Sequence, residues 1–579
     1  MKKGKPTRKR RLLGLVAGAC LLATASGSSA LAKPGHSKGG NGEGDENGGR
    51  FQQVLLLSID GFHALDFINC SAAGTCPNLT ALATTGINYL DTSTSKPSDS
   101  FPGLMALVAG GSPRTIGAFY DVAFDRRLAP PTIATGNGLP GGLCTPGVFP
   151  GTTTEYEEGI DLDQSQLNGG GTDGQANAID PMKLERDPAN NCNTVAPYNF
   201  VRTNTIFGVV HGAGMRTAWS DKHAAYIAVS GPGNGTNVDD FYSPEINSDS
   251  FNYLSQAPPV SFLSCKPLPD PHAVAAHDDY TQSFQNVQCY DALKVQAILN
   301  EIDGKTHTGA GSAPMPNLLG MNFQAVSIGQ KLVYQDFPTV PAPYTIHGGY
   351  TDSTGTPSGS LLQEIKFVDA SIGLMVQHLA DQHKLDSTLI IVTAKHGQSP
   401  IDTSRYKANG KPNDPASILS AFLAPSEKSP IGPTEDDVAL LWLNNPADTT
   451  AAVAALQLAS PVGANKAGIG EIFSGPSIGL FFNVGDSRTP DILVTPNIGV
   501  TYSNSVAKEA EHGGFAKDDV NVIMLLSNPS FSAKTVTSPV ETAQVAPTIL
   551  KALGLDPNSL ESVQMEHTQL LPDVPLSGD

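Results

Sequence analysis

Short runs of apolar and β-branched residues are the feature that most restricts how this chain can fold. Each run is six or seven residues long, which suits a buried strand and is too short for a typical helix. The runs are VLLLSI (54–59), MRTAWS (215–220), NLLGMNF (317–323), TLIIVTA (388–394) and VNVIMLL (520–526). Apolar strands that alternate with helices predict a mostly parallel central sheet covered by helices on both faces.

Segments with a helical pattern lie between these runs. FPGLMALVAGG (101–111) has a proline in its first turn, where the missing N–H costs nothing. In 361–383 apolar residues recur at three- and four-residue steps, which predicts one apolar stripe facing the sheet. A short helix is expected from about Pro77. Ligands of such sheets bind beyond the carboxyl ends of the strands, so the site is expected there.

The amino-terminal segment has the pattern of an export signal. A basic run and the apolar LLGLVAGACLLA precede Ala30-Leu31-Ala32, which predicts a signal peptide over residues 1–32 with cleavage near Ala32. The pair Arg10-Arg11 leaves twin-arginine export open, and Cys20 leaves lipid attachment open. The mature protein is therefore predicted to be secreted or periplasmic.

The rest of the chain is predicted to hold one folded domain. Residues 33–50 are rich in Gly and polar residues and are predicted to be a disordered linker. Residues 51–575 are predicted to form this domain. Within it, residues of about 125–200 are rich in Gly, Pro, Asn and Asp and are predicted to be an insertion pinned by a disulfide.

Charge and hydropathy exclude two classes of partner. The chain has 36 Lys and Arg against 55 Asp and Glu, a net charge of −19, and no basic patch with interleaved aromatics, so a nucleic-acid duplex is not an expected partner. Beyond the signal, no apolar stretch approaches the roughly 20 residues of a membrane span. An anionic substrate must then be held by a local positive site.

Six cysteines lie outside the signal, an even number that predicts disulfides in an exported chain. Neighbours along the sequence suggest the pairs 70–76, 144–192 and 265–289. In the insertion, Asp161-Leu-Asp163-Gln-Ser165 has the spacing that begins a calcium loop. It lacks the Gly and the Glu that complete such a loop.

Four polar residues stand where the predicted strands end or helices begin. Asp60 follows the first strand, Ser100 precedes the helix at 101–111, His396 follows TLIIVTA, and His512 lies in EAEHGGF. Taken singly, each has a structural explanation, because Asp and Ser cap helices and a lone histidine is usually structural. Their order along the chain is more informative than any one of them.

The order of four short motifs resembles that of the alkaline phosphatase superfamily. The motifs are Asp-Gly after the first strand, Ser-Phe-Pro about forty residues later, a late strand ending in His-Gly, and a final His-Gly. The segment PSDSFPGLMALVAGGSPRTIGAFYD, with Ser100 at the nucleophile position, resembles that superfamily's type I phosphodiesterase/nucleotide pyrophosphatase family. The closing VETAQVAPTILKALGLDP is similar to the superfamily's last helix. The resemblance implies an α/β, alkaline phosphatase-like fold and a serine nucleophile activated by metal, aided by amide N–H groups of the helix at Pro102.

The family resemblance also implies a metal site, from which this sequence departs. Asp60, Ser100, His396 and His512 match metal ligands of the family, which usually holds two zinc ions. The family's SDHG is AKHG here, so Lys395 stands in place of an aspartate. In addition, Val326 and Gln330 stand where an Asp and a His are expected. The resemblance implies a divalent metal, zinc, and the altered positions predict one ion or none rather than two. Lys395 would then supply positive charge, as lysines do in the sulfatases of the same superfamily.

A further polar cluster follows the run at 215–220. Asp221, Lys222 and His223 leave the carboxyl end of that strand and are predicted to bind substrate or serve as acid and base. Asp239 and Asp240 lie nearby in sequence, and the plainer interpretation of this whole cluster is a solvated loop. Lys331 follows the altered position Gln330 and could contact a phosphate, although a surface lysine is the plainer interpretation.

The sequence therefore predicts an exported hydrolase that acts on a small phosphoester, with a phosphodiester or pyrophosphate bond favoured by the family resemblance. Ser100 would be the nucleophile and Lys395 a catalytic electrostatic group. Two alternatives stay open: a phosphomonoesterase of the same superfamily, and a non-catalytic extracellular protein that keeps the scaffold and binds an anion.

Overall fold

The computed structural model describes residues 51–172, 174–250, 279–335, 345–422, 431–459, 467–503, 505 and 507–576. The predicted signal peptide, the Gly-rich linker and Cys265 lie outside the described residues. Among the helices of the described part, none is both long enough and apolar enough to cross a bilayer.

An eight-stranded sheet forms the centre of the molecule. Its strands are β1 (Gln53–Ile59), β2 (Gly86–Tyr89), β8 (Thr217–Ser220), β9 (Asp240–Tyr242), β10 (Leu318–Phe323), β13 (Thr388–Thr393), β20 (Leu525–Ser527) and β21 (Lys534–Val536). The order across the sheet is β21, β2, β20, β13, β1, β10, β8, β9. Only β20 runs antiparallel to its neighbours among these described strands, so the sheet is mostly parallel, as predicted.

The remaining strands form small sheets or pairs. They are β3 (Thr92–Ser93), β4 (Val122–Asp125), β5 (Thr152–Glu155), β6 (Arg186–Asp187), β7 (Asn193–Thr194), β11 (Val333–Gln335), β12 (Thr345–His347), β14 (Lys407–Ala408), β15 (Ile431–Glu435), β16 (Ala439–Trp442), β17 (Ile469–Ser474), β18 (Ile492–Pro496), β19 (Val500–Thr501) and β22 (Val540–Glu541). Strands β15 to β18 build a second, four-stranded sheet with its own apolar core. The sequence patterns considered above did not indicate this sheet.

Helices connect and cover the strands. They are α1 (Ala64–Ala73), α2 (Pro77–Thr84), α3 (Ser100–Ala109), α4 (Pro113–Ile116), α5 (Pro197–Phe200), α6 (Ile206–Gly212), α7 (Phe284–Ile302), α8 (Ala325–Lys331), α9 (Gly359–Asp381), α10 (Pro415–Phe422), α11 (Thr449–Ala459), α12 (Lys517–Val520), α13 (Val545–Ala552) and α14 (Glu561–Glu566). The long helix predicted at 361–383 is α9, and it begins two residues earlier because Ser358 caps it by accepting from the Leu361 N–H at 3.1 Å.

Both faces of the central sheet are buried. Side chains of β1 alternate between two cores: Val54 and Leu56 pack on the side of α3 and α13, and Leu55 and Leu57 pack on the side of α7 and α9. A strand buried on both faces must be apolar throughout, which explains the unbroken run VLLLSI. The predicted α/β class, a mostly parallel sheet with helices on both faces, is confirmed.

Two of the three predicted disulfides are present in the described residues. Cys70 is bonded to Cys76, and Cys144 is bonded to Cys192 across the insertion. Cys70 lies in α1. The third proposed pair includes Cys265 and so lies outside the described residues.

Candidate active site

The site lies at the carboxyl edge of four neighbouring strands, as the topology predicts. Asp60 follows β1, Asp221 follows β8, Gln324 follows β10, and Lys395 follows β13. These strands are parallel neighbours, so their carboxyl ends and the residues after them come together.

Ser100 is the first residue of α3, and its side chain points at two polar partners. Its Oγ lies 3.1 Å from His396 Nε2 and accepts from Lys222 Nζ at 3.2 Å. Ser100 is completely buried. A histidine nitrogen and a lysine ammonium on one hydroxyl are the two groups that would take its proton and stabilise the resulting alkoxide.

The ring of His396 is held in one orientation by its neighbour in sequence. Its Nδ1 lies 2.8 Å from the carbonyl oxygen of Gly397, an acceptor, so Nδ1 carries the proton in the neutral ring. The other nitrogen, Nε2, then presents its lone pair to Ser100. This tautomer suits His396 to accept the proton of the serine hydroxyl.

Lys395 lies between two buried carboxylates. Its Nζ is 3.5 Å from Asp60 Oδ2 and 3.4 Å from Asp221 Oδ1, and it stands 4.5 Å from the centre of the Tyr226 ring. Lys395 itself is completely buried. Two carboxylates and an aromatic face together offset the cost of burying an ammonium.

Asp60 is kept ionised by the groups around it. Burial alone would raise the pKa of Asp60, but the Lys395 ammonium, followed by the nearby His396, holds that pKa well below its usual range. Asn322 and Gln324 also donate to Asp60 Oδ2, at 3.1 and 2.6 Å. Asp60 therefore acts here as a counter-ion to Lys395.

Lys222 forms an ion pair with Glu157 beside the nucleophile. Burial lowers the pKa of Lys222, but Glu157, Asp60 and Asp221 together outweigh burial, so this pKa is raised. Lys222 in turn holds the pKa of Glu157 well below its usual range despite burial. Tyr226 also donates to Glu157, at 2.7 Å. The ammonium next to Ser100 is thus fully charged at neutral pH.

His512 joins the site beside the ring of His396. Its ring centre is 4.1 Å from that of His396, and its Nδ1 lies 3.3 Å from Asp99 Oδ1. Burial, followed by His396 and Lys331, holds the pKa of His512 well below its usual value, so the ring is neutral. His512 therefore lies against the carboxyl group of Asp99, although neither His512 Nδ1 nor Asp99 Oδ1 makes a hydrogen bond within the described residues.

The amino terminus of α3 differs from the expectation for an anion-binding helix. Asp99 caps the helix by accepting from the Phe101 N–H at 3.4 Å, and it accepts from the Asp121 N–H at 2.9 Å. Burial and Glu157 raise the pKa of Asp99 to about 6. The Phe101 amide is therefore occupied by a protein carboxyl, and the positive charge next to Ser100 comes from lysine.

A cavity of about 270 Å³ opens beside these residues. Lys222, His223, Gln324, Lys331 and His512 contribute to its wall, together with the acidic residues Asp121, Glu157, Glu158, Asp436 and Glu511. Lys331 therefore faces the cavity, although the plainer interpretation was a surface lysine.

The three residues of the predicted cluster after β8 contact different parts of the site. Asp221 accepts from the Trp219 indole N–H at 3.0 Å and faces Lys395, whereas Lys222 reaches Ser100. His223 Nδ1 lies 2.9 Å from both carboxyl oxygens of Glu245. By contrast, Asp239 binds the Thr217 backbone and side chain, away from these groups.

The donor set does not fit the family's two-metal site. Asp60, Ser100 and His396 come together as predicted, but the Lys395 ammonium stands among them, where its charge repels a dication. Within the described ranges, no group of three or more His, Cys, Asp or Glu side chains is placed to hold a metal ion.

The other altered positions have structural explanations. Val326 is buried in the apolar core, and Gln330 Nε2 donates to the Gly61 carbonyl at 2.7 Å and to Tyr350 at 2.9 Å. The calcium-loop interpretation is not supported either. Asp161 is buried against Glu245, while Asp163 bonds Ser165 and Gln166 at the surface.

Several residues of the site were not predicted from the sequence. They are Asp99, Glu157, Asp161, Tyr226, Glu245, Asn322 and Gln324. The Asx-Ser order at Asp99-Ser100 is a helix-cap signal that could have indicated Asp99. Glu157 and Asp161 come from the insertion, where no periodic pattern marks an inward-facing side chain.

Comparison with known proteins agrees with the family resemblance. The family model described as type I phosphodiesterase / nucleotide pyrophosphatase matches residues 54–139, the segment that contains Asp60 and Ser100. The resemblance seen in the sequence is thereby confirmed. No curated protein matches the chain significantly.

Solved structures of two mammalian proteins are similar to this chain. Murine ectonucleotide pyrophosphatase / phosphodiesterase 5 is 14% identical, with 87% of this chain and 95% of that chain covered and a TM-score of 0.49. An inactive variant of the murine protein in complex with AMP gives the same values. The human protein is also 14% identical over the same shares, with a TM-score of 0.48.

Proposed function

We propose that this chain, which matches the type I phosphodiesterase / nucleotide pyrophosphatase model over residues 54–139, is an exported hydrolase of phosphodiester or pyrophosphate bonds with Ser100 as its nucleophile. The observation that carries the proposal is the convergence of His396 Nε2 and Lys222 Nζ on Ser100 Oγ, at 3.1 and 3.2 Å. The two disulfides are typical of a protein outside the cytoplasm and support export.

The first step attaches the phosphoryl group to the protein. Ser100 Oγ attacks phosphorus while its proton passes to His396 Nε2, and the bond to the leaving oxygen breaks. Lys222 stabilises the developing negative charge on Oγ. Water then attacks the phosphoseryl intermediate, and Ser100 recovers its proton from His396.

Lysines supply the positive charge in this scheme. Lys222 contacts the nucleophile Ser100 directly. Lys395 lies between Asp60 and Asp221 and neutralises their charge. Glu157 is paired with Lys222 in this structure, so a substrate phosphate would compete with that carboxylate for the ammonium group. The predicted zinc dependence is replaced by a dependence on Lys222 and Lys395.

A chelation experiment tests the proposal. The mature protein is assayed on bis-(p-nitrophenyl) phosphate and on p-nitrophenyl phosphate, before and after treatment with a chelator, and its zinc content is measured. Activity on the diester should survive chelation and fall by at least about 10²-fold in Ser100→Ala. A preference for the monoester would favour a phosphomonoesterase.

The Ser100→Ala variant is also the control for background hydrolysis. If the wild-type protein and Ser100→Ala are equally inactive with every divalent metal tried, the hydrolase proposal fails and anion binding without catalysis replaces it. If chelation abolishes activity and zinc restores it, the lysine-based scheme is wrong although the serine nucleophile stands.

A further inference from the structure

Three buried titratable side chains form a chain that leads from the protein interior to the cavity. They are Asp161, Glu245 and His223, with exposed fractions of 1%, 1% and 2%. His223 Nδ1 is 2.9 Å from both oxygens of Glu245, and Glu245 lies within hydrogen-bonding reach of Asp161. His223 also lines the cavity next to Lys222.

Separate parts of the fold hold this chain of groups in place. His223 follows β8, Glu245 follows β9, and Asp161 belongs to the insertion. The Glu245 N–H donates to the Leu167 carbonyl at 2.7 Å, and Glu245 Oε1 accepts from the Asn247 N–H at 2.9 Å. The insertion is therefore locked to the segment after β9 at this point.

An aromatic contact fixes the imidazole of the chain as well. The His223 ring stacks on Tyr226 with centres 6.2 Å apart and an angle of 18° between the planes. Tyr226 is itself held by its hydrogen bond to Glu157. The ring can then rotate little, and its Nδ1 stays directed at Glu245.

The carboxyl groups of Asp161 and Glu245 hold protons at neutral pH. Burial, followed by Glu245, raises the pKa of Asp161 to about 9, and burial raises that of Glu245 to about 8. Burial and Lys222 lower the pKa of His223, opposed by Glu157, Glu158 and Asp161. Glu245 O–H thus donates to His223 Nδ1, and His223 Nε2 carries a proton.

A protonated Asp161 also explains an otherwise orphaned side chain. Neither carboxyl oxygen of Asp161 accepts a hydrogen bond in the described part of the protein. A carboxylate in that position would be buried without a donor, at a cost of several kcal/mol. A neutral carboxyl group instead donates its own proton to Glu245.

We infer that His223, Glu245 and Asp161 form a proton relay that protonates the leaving group and later activates the hydrolytic water. The inference rests on the proposed role of Ser100 and assigns the acid/base group on the cavity side of the reaction. Of the three, only His223 would touch the reacting atoms, so Glu245 and Asp161 act through it.

The relay balances the protons of both steps. In the first, the leaving oxygen takes the proton from His223 Nε2, and the Glu245 proton moves to His223 Nδ1. The resulting Glu245 carboxylate accepts a hydrogen bond from Asp161, which keeps its proton. In the second, water attacks phosphorus and gives a proton to Nε2, the Nδ1 proton returns to Glu245, and the bond from Ser100 Oγ to phosphorus breaks. The relay ends as it began.

Such a relay matters most when the leaving group is basic. An alkoxide or phenolate needs a proton as it departs, whereas p-nitrophenolate is stable without one. The geometry therefore points to a substrate with an unactivated, basic leaving group.

Glu245→Gln is the variant that separates proton transfer from positioning. A glutamine amide can still donate to His223 Nδ1, but it cannot deliver a proton. With methyl phenyl phosphate, kcat/KM should fall about 10²-fold or more, a typical general-acid contribution. With methyl p-nitrophenyl phosphate, the burst of p-nitrophenolate should be retained and only the later turnover should slow.

His307→Gln is the matched control, because His307 is also buried, is bonded to a carboxylate (Asp240) and stacks on a tyrosine (Tyr242). It should leave the ratio of the two esters unchanged. Asp161→Asn provides a second relay variant should Glu245→Gln unfold, and it should change the ratio in the same direction.

Two outcomes overturn the relay in different ways. If the wild-type protein is active and Glu245→Gln loses the same fraction of activity on both esters, Glu245 only positions the His223 ring. The proposed function would then stand without the relay. A wild-type protein no more active than Ser100→Ala on either ester would overturn the proposed function together with the relay.

Discussion

Lys395 is the residue that sets this site apart from the family it resembles. The Lys395 ammonium between Asp60 and Asp221 belongs to the protein itself, whereas a metal has to be bound from solution. The two carboxylates and the lysine must be considered together, because removing one leaves the others uncompensated in a buried environment.

Removing the Lys395 ammonium should therefore cost stability as well as activity. We expect Lys395→Met to lower the free energy of unfolding by about 3–5 kcal/mol, the usual cost of breaking a buried ion pair. Urea titration measures this. Lys395→Met combined with Asp60→Asn should recover part of the loss, and a purely additive double variant would show that the two side chains are not coupled.

Restoring the family's aspartate should create zinc affinity. In Lys395→Asp, the repelling charge is replaced by a carboxylate near Asp60 and His396, so three ligands of the usual kind become available. Equilibrium dialysis followed by metal analysis should find about one zinc ion bound per chain in the variant and less in the wild type. Equal zinc contents would mean that Lys395 does not decide metal binding.

Most residues of the site that directly follow an apolar run could be predicted, whereas Glu245 and Asp161, which come from loops, could not. Asp60, Lys395 and His396 stand directly after apolar runs, so the strand pattern placed them at one edge of the sheet. Glu245 and Asp161 reach the site through loops, where burial leaves no periodic trace in the sequence. They became candidates only through the contact of Glu245 with His223 and that of Asp161 with Glu245.

At the scale of elements, the close packing of α3 on the end of β13 aligns Ser100 with His396. A Cβ atom on Gly103 would lie 2.3 Å from the carbonyl oxygen of Lys395, so only glycine allows this approach. The helix that carries the nucleophile and the strand end that carries its base are thereby kept at a fixed distance.

Gly103→Ala should disturb both stability and catalysis. The added methyl group must push α3 away from backbone atoms that cannot yield, at a cost of about 1–3 kcal/mol. Activity should fall with it, because the contact from Ser100 to His396 lengthens. Gly212→Ala is the matched control: no atom lies within 4 Å of its Cβ, so unfolding should be unchanged or require slightly more free energy.

Element boundaries show where an apolar pattern stops being informative. The run at 520–526 predicts a strand, but only Leu525–Ser527 pairs in the central sheet. Before it, the N–H groups of Val522 and Ile523 donate to the carbonyls of Thr92 and Phe62, so this backbone is buried without extending the ladder. The apolar pattern of this run predicted its burial correctly. Whether its backbone pairs in the central sheet depends on which strands lie next to it, and the pattern does not indicate this.

At the scale of the whole molecule, buried carboxyl groups beyond the site couple folding to pH. Burial raises the pKa of Glu185 to about 8, and burial followed by Asp414 raises that of Glu435 to about 8. These groups lie in the insertion and the second sheet. Both regions were the least predictable from the sequence, since they lack the repeated apolar strands that identified the central sheet.

Glu185 should make stability decline as pH rises. Its folded-state pKa of about 8 exceeds the value of about 4.3 in an unfolded chain, so its contribution is complete below about pH 4 and is lost as pH rises through 8. Glu185→Gln keeps an acceptor for the Glu155 N–H but never ionises. Relative to wild type, its free energy of unfolding should therefore rise from pH 5 to pH 9 by at least about 1.4 kcal/mol, one pKa unit. Urea titrations at both values measure this, with the exposed Glu541→Gln as control, and a difference that is the same at pH 5 and pH 9 would contradict the assignment.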